Sequence, residues 1–391
     1  MSLDFALFDA DHHYYEPEDA FTRHLPAGFA KRTMQWATID GRERLLVAGR
    51  INRFIPNPHF DPVARPGSLD AYFRGKQAGD DIREAFGALE PIHPGYRDRS
   101  ARLAMLDAQG IEACFMFPTL GVGMEEALVA DVEAAHVAFH AFNEWLLDDW
   151  GFDRDGRILA APYLTLLDPV QALAEVEWVI ERGARVVVMR AGPIMDPQGA
   201  RSPGDAAHDA VWARLAEAGV VVAYHSGESG YYRYLADWGE HLSLEAFRNP
   251  PFPVVTVGDR PIYDTVAALI CHGVLTRHPG LRVATIESGS DWVPSLRRKL
   301  AKSYAQTPSA YGHDPVEQLQ RNVWVSPYYE DDLHAVRDAI GVERIIFGSD
   351  YPHAEGLEVP SSFVDDLAGF SATEVRRVMR DNGRELVGLA G

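Results

Sequence analysis

Eight short runs rich in aliphatic, β-branched and aromatic residues recur along the chain, with helical patterns between them. They cover residues 5–11, 111–119, 157–166, 184–191, 220–227, 282–289, 322–329 and 344–351. Most are apolar throughout, the pattern of parallel strands buried on both faces. Candidate helices fall at residues 100–108, 129–148, 169–181, 209–218, 265–277, 331–340 and 373–389. Strands that alternate with helices in this number predict an α/β fold, a (β/α)₈ TIM barrel. An open doubly wound sheet would gather its polar residues at one switch point, whereas here they sit at the tips of runs spread over the whole sequence.

The length of 391 residues, 47% hydrophobic and 24% charged, suffices for one large core, so we expect a single domain over residues 1–391. Residues 16–99 break the repeating unit and are rich in Pro, Gly and charge. They read as an insertion after the first strand that covers the barrel mouth, with a hairpin at residues 35–55 turning on Asp40-Gly41. A second irregular stretch, residues 228–260, carries Tyr231, Tyr232, Tyr234, Trp238 and Phe252. Its aromatic side chains either wall a pocket for a ring-containing or apolar substrate or simply pack together.

Charge excludes two classes of partner. With 37 basic against 57 acidic residues the chain carries a net charge of −20, which repels both a phosphate backbone and an anionic membrane. The opening residues lack a basic, then apolar, leader and no run reaches membrane-spanning length, so a cytoplasmic location is expected. Cys114 and Cys271 lie in separate apolar segments without CxxC spacing and read as buried free thiols.

The tips of the runs carry the chemistry. The first ends Asp9-Ala-Asp11-His-His13, the fifth Ala223-Tyr-His225-Ser-Gly227, and the eighth runs through Asp350 to His353. Alternate side chains of a strand share a face, so Asp11 and His13 converge as ligands of one ion and His12 points away as a bystander. Imidazole and carboxylate are ordinary ligands of zinc, manganese and ferrous iron. Gly121-Val-Gly123 lacks the third glycine and the strand context of a dinucleotide site, and Ser226-Gly-Glu-Ser229-Gly230 lacks the spacing of a nucleophile elbow. Neither NAD binding nor serine hydrolysis is supported.

Asp9-Ala-Asp11-His-His13-Tyr-Tyr-Glu16-Pro17, Tyr224-His225-Ser-Gly227, Arg277-His-Pro-Gly-Leu281, Asn322-Val-Trp-Val-Ser326 and Phe347-Gly-Ser-Asp350-Tyr-Pro-His353 together resemble the amidohydrolase superfamily. The likeness is to the branch related to aminocarboxymuconate-semialdehyde decarboxylase, and it spans nearly the whole chain. It implies a (β/α)₈ barrel, a small-molecule substrate, a homodimer and one divalent ion, zinc first and manganese as the alternative. By position the implied ligands are Asp11, His13, His225 and Asp350, with Asp350 also accepting a proton from the attacking water. Binuclear relatives use a lysine on the fourth strand, and Val186-Val-Val-Met-Arg190 has none, so a single metal is expected. Decarboxylating relatives carry a histidine at the end of the sixth strand, where this chain has Glu287.

Catalysis is therefore assigned to Asp350, Glu287 and His225. Glu287 is read as ligand, general base or substrate partner, or else as a carboxylate paired with a loop arginine. Arg53, with Arg50, is a candidate clamp for a substrate carboxylate, against a role in surface solvation. Tyr231, Trp292 and His353 complete the candidate substrate contacts; packing is the competing reading for Trp292, and helix capping or ligand orientation for His353 and Glu355. His272 reads as structural. The expected function is hydrolysis of a small aromatic or cyclic substrate. The alternatives are metal-dependent decarboxylation of an aromatic or muconate-like acid, and an inert barrel that only binds.

Overall fold

A computed structural model describes residues 3–55, 57–76, 82–197, 199–240 and 250–389. One parallel ladder joins Leu7–Tyr14, Ile111–Pro118 and Ile158–Ala160, and a second joins Val186–Arg190, Val221–His225, Arg282–Ile286 and Val323–Val325. Two seams close them into a ring. Tyr163 bridges Val188 between the ladders, where Leu164 N donates to Val188 O at 2.9 Å. On the other side the segment before Asp350 lies between Val323–Val325 and Leu7–Tyr14: Ile346 N donates to Val325 O at 2.9 Å, and Ala10 N to Phe347 O at 2.8 Å. Helices flank the strands, and the expected (β/α)₈ barrel is the fold.

The third and eighth runs are less regular than their composition suggests. Only Ile158–Ala160 of the third forms a continuous ladder, since Pro162 has no N–H to donate. In the eighth, Gly348 approaches its neighbours so closely that a Cβ there would meet Ser326 Oγ at 2.5 Å and Asp11 Cβ at 2.6 Å. Contact of that kind allows no side chain, and it brings the Asp350 strand end against the Asp11 strand end.

Local sequence explains most helix boundaries. Asp98 caps Arg99–Gln109, and Asp168 with Pro169 starts Pro169–Glu181. The helix expected at 265–277 is two, Arg260–Cys271 and Val274–Arg277, parted by Gly273 at φ 78°. Among the described helices of eight residues or more, two lie outside the expected set, Trp292–Gln306 and Pro315–Asn322, although Asp314-Pro315 is a readable start signal for the second. Cys114 is buried as expected, but Cys271 is exposed at its helix end. Among the described residues no helix is long and apolar enough to cross a membrane.

The insertion covers the mouth. Met34–Ile39 and Arg42–Val47 pair antiparallel through Asp40 (φ 52°) and Gly41 (φ 71°), the two positive φ angles a two-residue type I′ turn requires. A short third strand, Arg50–Ile51, makes this a meander rather than a simple hairpin. The stretch after His225 contains the short helices Tyr232–Ala236 and Pro251–Val257, while residues 241–249 of that expected wall lie outside the described residues.

Candidate active site

The end of the first strand is irregular in a way that sorts its side chains. Asp9 pairs with Cys114 and His12 with Met116, so three steps on one strand match two on the other. The bulge breaks strict alternation and re-aims residues. Asp9 and His12 turn to the same side, with Oδ2 and Nε2 3.1 Å apart, and Asp11 and His13 turn to the other. His12 is no bystander. Its Nδ1 lies 2.9 Å from Arg102 Nη1, while Arg102 also donates to Gly95 O and His13 O at 2.6 Å each. Asp9 Oδ1 accepts from Asp11 N at 3.1 Å and Ser349 N at 3.0 Å. This buried Asp9–His12–Arg102 chain therefore clamps the backbone of both the first and the last strand ends.

On the cavity side, ligand-type atoms of Asp11, His13, His225 and Glu287 all lie within 4.8 Å of one another, as do those of His13, Glu287, Asp350 and His353. The two groups share His13 and Glu287 and so describe one centre. His13 Nε2 is 3.2 Å from Asp11 Oδ1, 3.1 Å from His225 Nε2 and 3.5 Å from Asp350 Oδ1, and His225 Nε2 is 3.2 Å from Glu287 Oε2. The Nε2–Nε2 separation is close to the roughly 3.3 Å between two nitrogens on a tetrahedral zinc with bonds of about 2.0–2.1 Å. His225 Nδ1 contacts Ser226 O at 2.7 Å, which places its proton there and turns the Nε2 lone pair inward. Asp11 Oδ1 is enclosed without a hydrogen bond.

The electrostatics call for a cation. Burial opposes ionisation of Asp11, yet the imidazoles of His13 and His225 beside it hold its carboxyl well below the usual range. Burial and the neighbouring imidazoles push His13 far down. His225 shifts upward despite burial because Glu287 and Asp11 face it. Glu287 and Asp350 are pushed up by burial first and then by other carboxylates, including each other's neighbours in the cluster. A divalent ion would relieve this repulsion, so the donor set fits one.

Glu287 and Asp350 occupy left-handed backbone, φ 46° and 55°. Such positions cost a non-glycine residue about 1–3 kcal/mol and persist where surrounding structure enforces them. Tyr328 Oη donates to Glu287 O at 2.8 Å, helping hold the sixth strand end. Asp350 Oδ1 sits 2.6 Å from His353 Nδ1, and His353 Nε2 sits 2.9 Å from Thr119 Oγ1, whose hydroxyl donates to Tyr14 O. With Nε2 therefore donating to Thr119, the short Asp350–His353 contact holds a proton on one side or the other. The His353 ring lies over His13 with centroids 4.0 Å apart.

The centre opens into a cavity of about 790 Å³. Its aromatic wall comes from Tyr15, from Phe54, Phe60, Phe73 and Phe86 of the insertion, and from Tyr328 and Tyr329 beyond the seventh strand. The sequence pattern points instead to residues 228–260. Tyr231 lines a smaller adjoining cavity of about 230 Å³ with Arg190, and its hydroxyl donates to Asp264 at 3.0 Å. Trp238 is largely exposed. Arg53 is exposed and does not line the metal cavity, so it is no clamp there. Trp292 is a core residue whose Nε1 donates to Gly289 O at 3.0 Å. Arg190, at the fourth strand tip, is tied to Glu125 and Glu126 at 3.2 and 3.3 Å. His272 bonds Ser202 Oγ at 2.6 Å, away from the centre.

A family model described as Amidohydrolase matches residues 9–389. The chain belongs to that family. A solved amidohydrolase from Mycobacterium avium subsp. paratuberculosis K-10 is 48% identical with a TM-score of 0.94, covering 99% of this chain and 100% of its own. This amidohydrolase also shares its fold with more distant decarboxylases. A 2,6-dihydroxybenzoate decarboxylase from Rhizobium is 18% identical, TM-score 0.58, covering 86% of this chain and 98% of its own. A dihydroxybenzoic acid decarboxylase from Polaromonas sp. JS666, solved with manganese and 2-nitroresorcinol, is 15% identical, TM-score 0.60, covering 98% and 97%.

Proposed function

We propose that this amidohydrolase is a metal-dependent hydrolase that adds water to a carbonyl of a small, largely apolar substrate, using one divalent ion, zinc or manganese. The observation that carries the reading is the cavity lining. Five carboxylates face the cavity, and among the described residues no lysine or arginine does. A substrate bearing its own carboxylate would find no protein cation there, whereas a neutral amide, ester or lactone needs none.

Asp11, His13, His225 and Asp350 would hold the ion, with Glu287 beside it. When bound, it supplies a Lewis acid that polarises a carbonyl and acidifies water. The protein's residues supply the rest. Glu287, whose side chain is 21% exposed against 13% for Asp350 and 4% for Asp11, is the most open of the three carboxylates at the centre and is placed to take the proton of an attacking water. The Asp350–His353 pair, which already holds a proton, can give it to the leaving group and be refilled by the proton that Glu287 takes. Tyr328, through Glu287 O, and Thr119, through His353, fix the two acid–base groups. The insertion's phenylalanines exclude bulk water.

Decarboxylation is the competing reading, favoured by the proton held between Asp350 and His353 beside the cavity, an acid able to protonate a ring carbon. The two separate by product. The metal-loaded enzyme should release acid and alcohol or amine from a panel of aryl esters, amides and lactones. Carbon dioxide from hydroxybenzoates with every carbonyl substrate untouched would reverse the assignment.

A further inference from the structure

The large cavity at the centre and the smaller chamber beside it share four lining residues, Val122, His225, Ser226 and Gly227. Of these Val122 alone has an apolar side chain; His225 faces the centre, and Ser226 N is tied to Ile286 O at 3.2 Å. Gly227 packs against Val122 so closely that a Cβ there would meet Val122 O at 2.4 Å and Val122 Cβ at 3.0 Å, and Glu228 N donates to Val122 O at 3.3 Å. Val122 and Gly227 therefore form the partition between about 790 Å³ on one side and about 230 Å³ on the other.

The partition is held from both directions along the chain. Before it, Leu120 N and Gly121 N donate to the buried Glu16 Oε1 at 2.9 Å each. After it, Gly123 lies against the Phe54 ring, which a Cβ there would meet at 2.2 Å, and Glu125 and Glu126 are bound by Arg190. A side chain on backbone this tightly packed does not move aside for a ligand. Beyond it the smaller chamber presents Met189, Pro253, Val257 and Ile262, an apolar lining with room for a short alkyl group.

We propose that Val122 is a specificity-determining residue: it closes the cavity on the His225 side, so the substrate carries only a small group on that side of its carbonyl and keeps its apolar bulk in the larger cavity. The proposal rests on the hydrolase reading in placing a carbonyl at the metal centre. Shortening Val122 joins the two spaces and admits a longer group.

Calorimetric binding of acetophenone and valerophenone to the metal-loaded wild type and to Val122→Ala tests it. The two ketones differ by three methylenes, each worth about fourfold in affinity when buried. The preference for valerophenone over acetophenone should rise at least about tenfold in Val122→Ala relative to the wild type. An unchanged preference overturns the proposal. A crystal of the metal-loaded wild type with valerophenone decides alone if the variant does not fold: both ends of the ketone in the larger cavity support the proposal, and a butyl or phenyl group in the smaller chamber overturns it. These ketones are neither hydrolysed nor decarboxylated, so the comparison is read without turnover. Carbon dioxide release from hydroxybenzoates would sink the hydrolase reading while the shift in preference stood, and an unchanged preference beside intact hydrolysis would sink only the Val122 assignment.

Discussion

At the inner end of the cavity, Asp11, His13, His225 and Asp350 project from strand ends held by backbone hydrogen bonds such as His13 N to Tyr351 O at 2.8 Å. At the outer end, Phe54, Phe73 and Phe86 come from the insertion, joined to the barrel by isolated bonds such as Leu69 N to Ala354 O at 2.8 Å and by side-chain contact. Ladder hydrogen bonds fix positions to a few tenths of an ångström, as shared chemistry requires. Side-chain packing tolerates change of shape. Under the proposed function, this difference assigns reaction chemistry to the barrel and substrate choice to the insertion.

Removing ligands should produce the largest effect. Asp11→Ala with His225→Ala should abolish stoichiometric metal in elemental analysis and lower kcat/KM by about a thousandfold or more, the equivalent of several kcal/mol of transition-state stabilisation. Retained metal and rate would move the centre away from the strand ends and break the contrast.

Arg102→Met tests the clamp beneath the inner end. It strips a fully buried partner from the Asp9–His12 pair, leaving a buried charge uncompensated, and should cost about 3–5 kcal/mol in urea-denaturation midpoints. A change below about 1 kcal/mol would mean that the chain of hydrogen bonds does not hold the strand ends. His353→Gln, which loses the orienting contact to Asp350, should weaken metal affinity by about 10–100-fold in competition titrations with a chelator. Unaltered affinity would reduce His353 to a wall residue.

The smallest effects belong to the outer end. Phe54→Ala should raise KM several-fold with metal content unchanged, a loss of about 1 kcal/mol in apolar contact. Arg53→Ala, exposed on the same segment, should leave both kinetic constants within error. A metal-binding defect in Phe54→Ala would join the two regions that the structure separates.

Much of the inner end was legible. Asp11, His13, His225 and Asp350 each follow a β-prone run, and a parallel barrel presents such tips at one face, so local pattern and topology agree. Glu287 was visible by the same logic. Tyr328 and Tyr329, at the tip of the seventh run, could have been found that way too. His12 points away from the centre as alternation expects; its pairing with Asp9 was not legible, because the bulge between them puts residues three apart on one side and no residue type announces a bulge. The aromatic wall was misplaced for a different reason: residues 228–260 are denser in rings than the insertion, and composition cannot say which segment folds over the mouth. Cys271 shows the same limit, since the exposure of its helix end is set by the neighbours of that helix.

By itself, then, the sequence determined the eight-strand alternation, the family and the ligand types at the strand tips, because these depend on short-range periodicity and on residue chemistry. Tertiary structure alone decided that Arg102 clamps Asp9 and His12 from ninety residues away in sequence, and that Phe54 rather than Tyr231 lines the cavity at the His13 centre. Those outcomes depend on which distant segments pack together, and packing is decided by the shape of the whole fold rather than by any local run of residues.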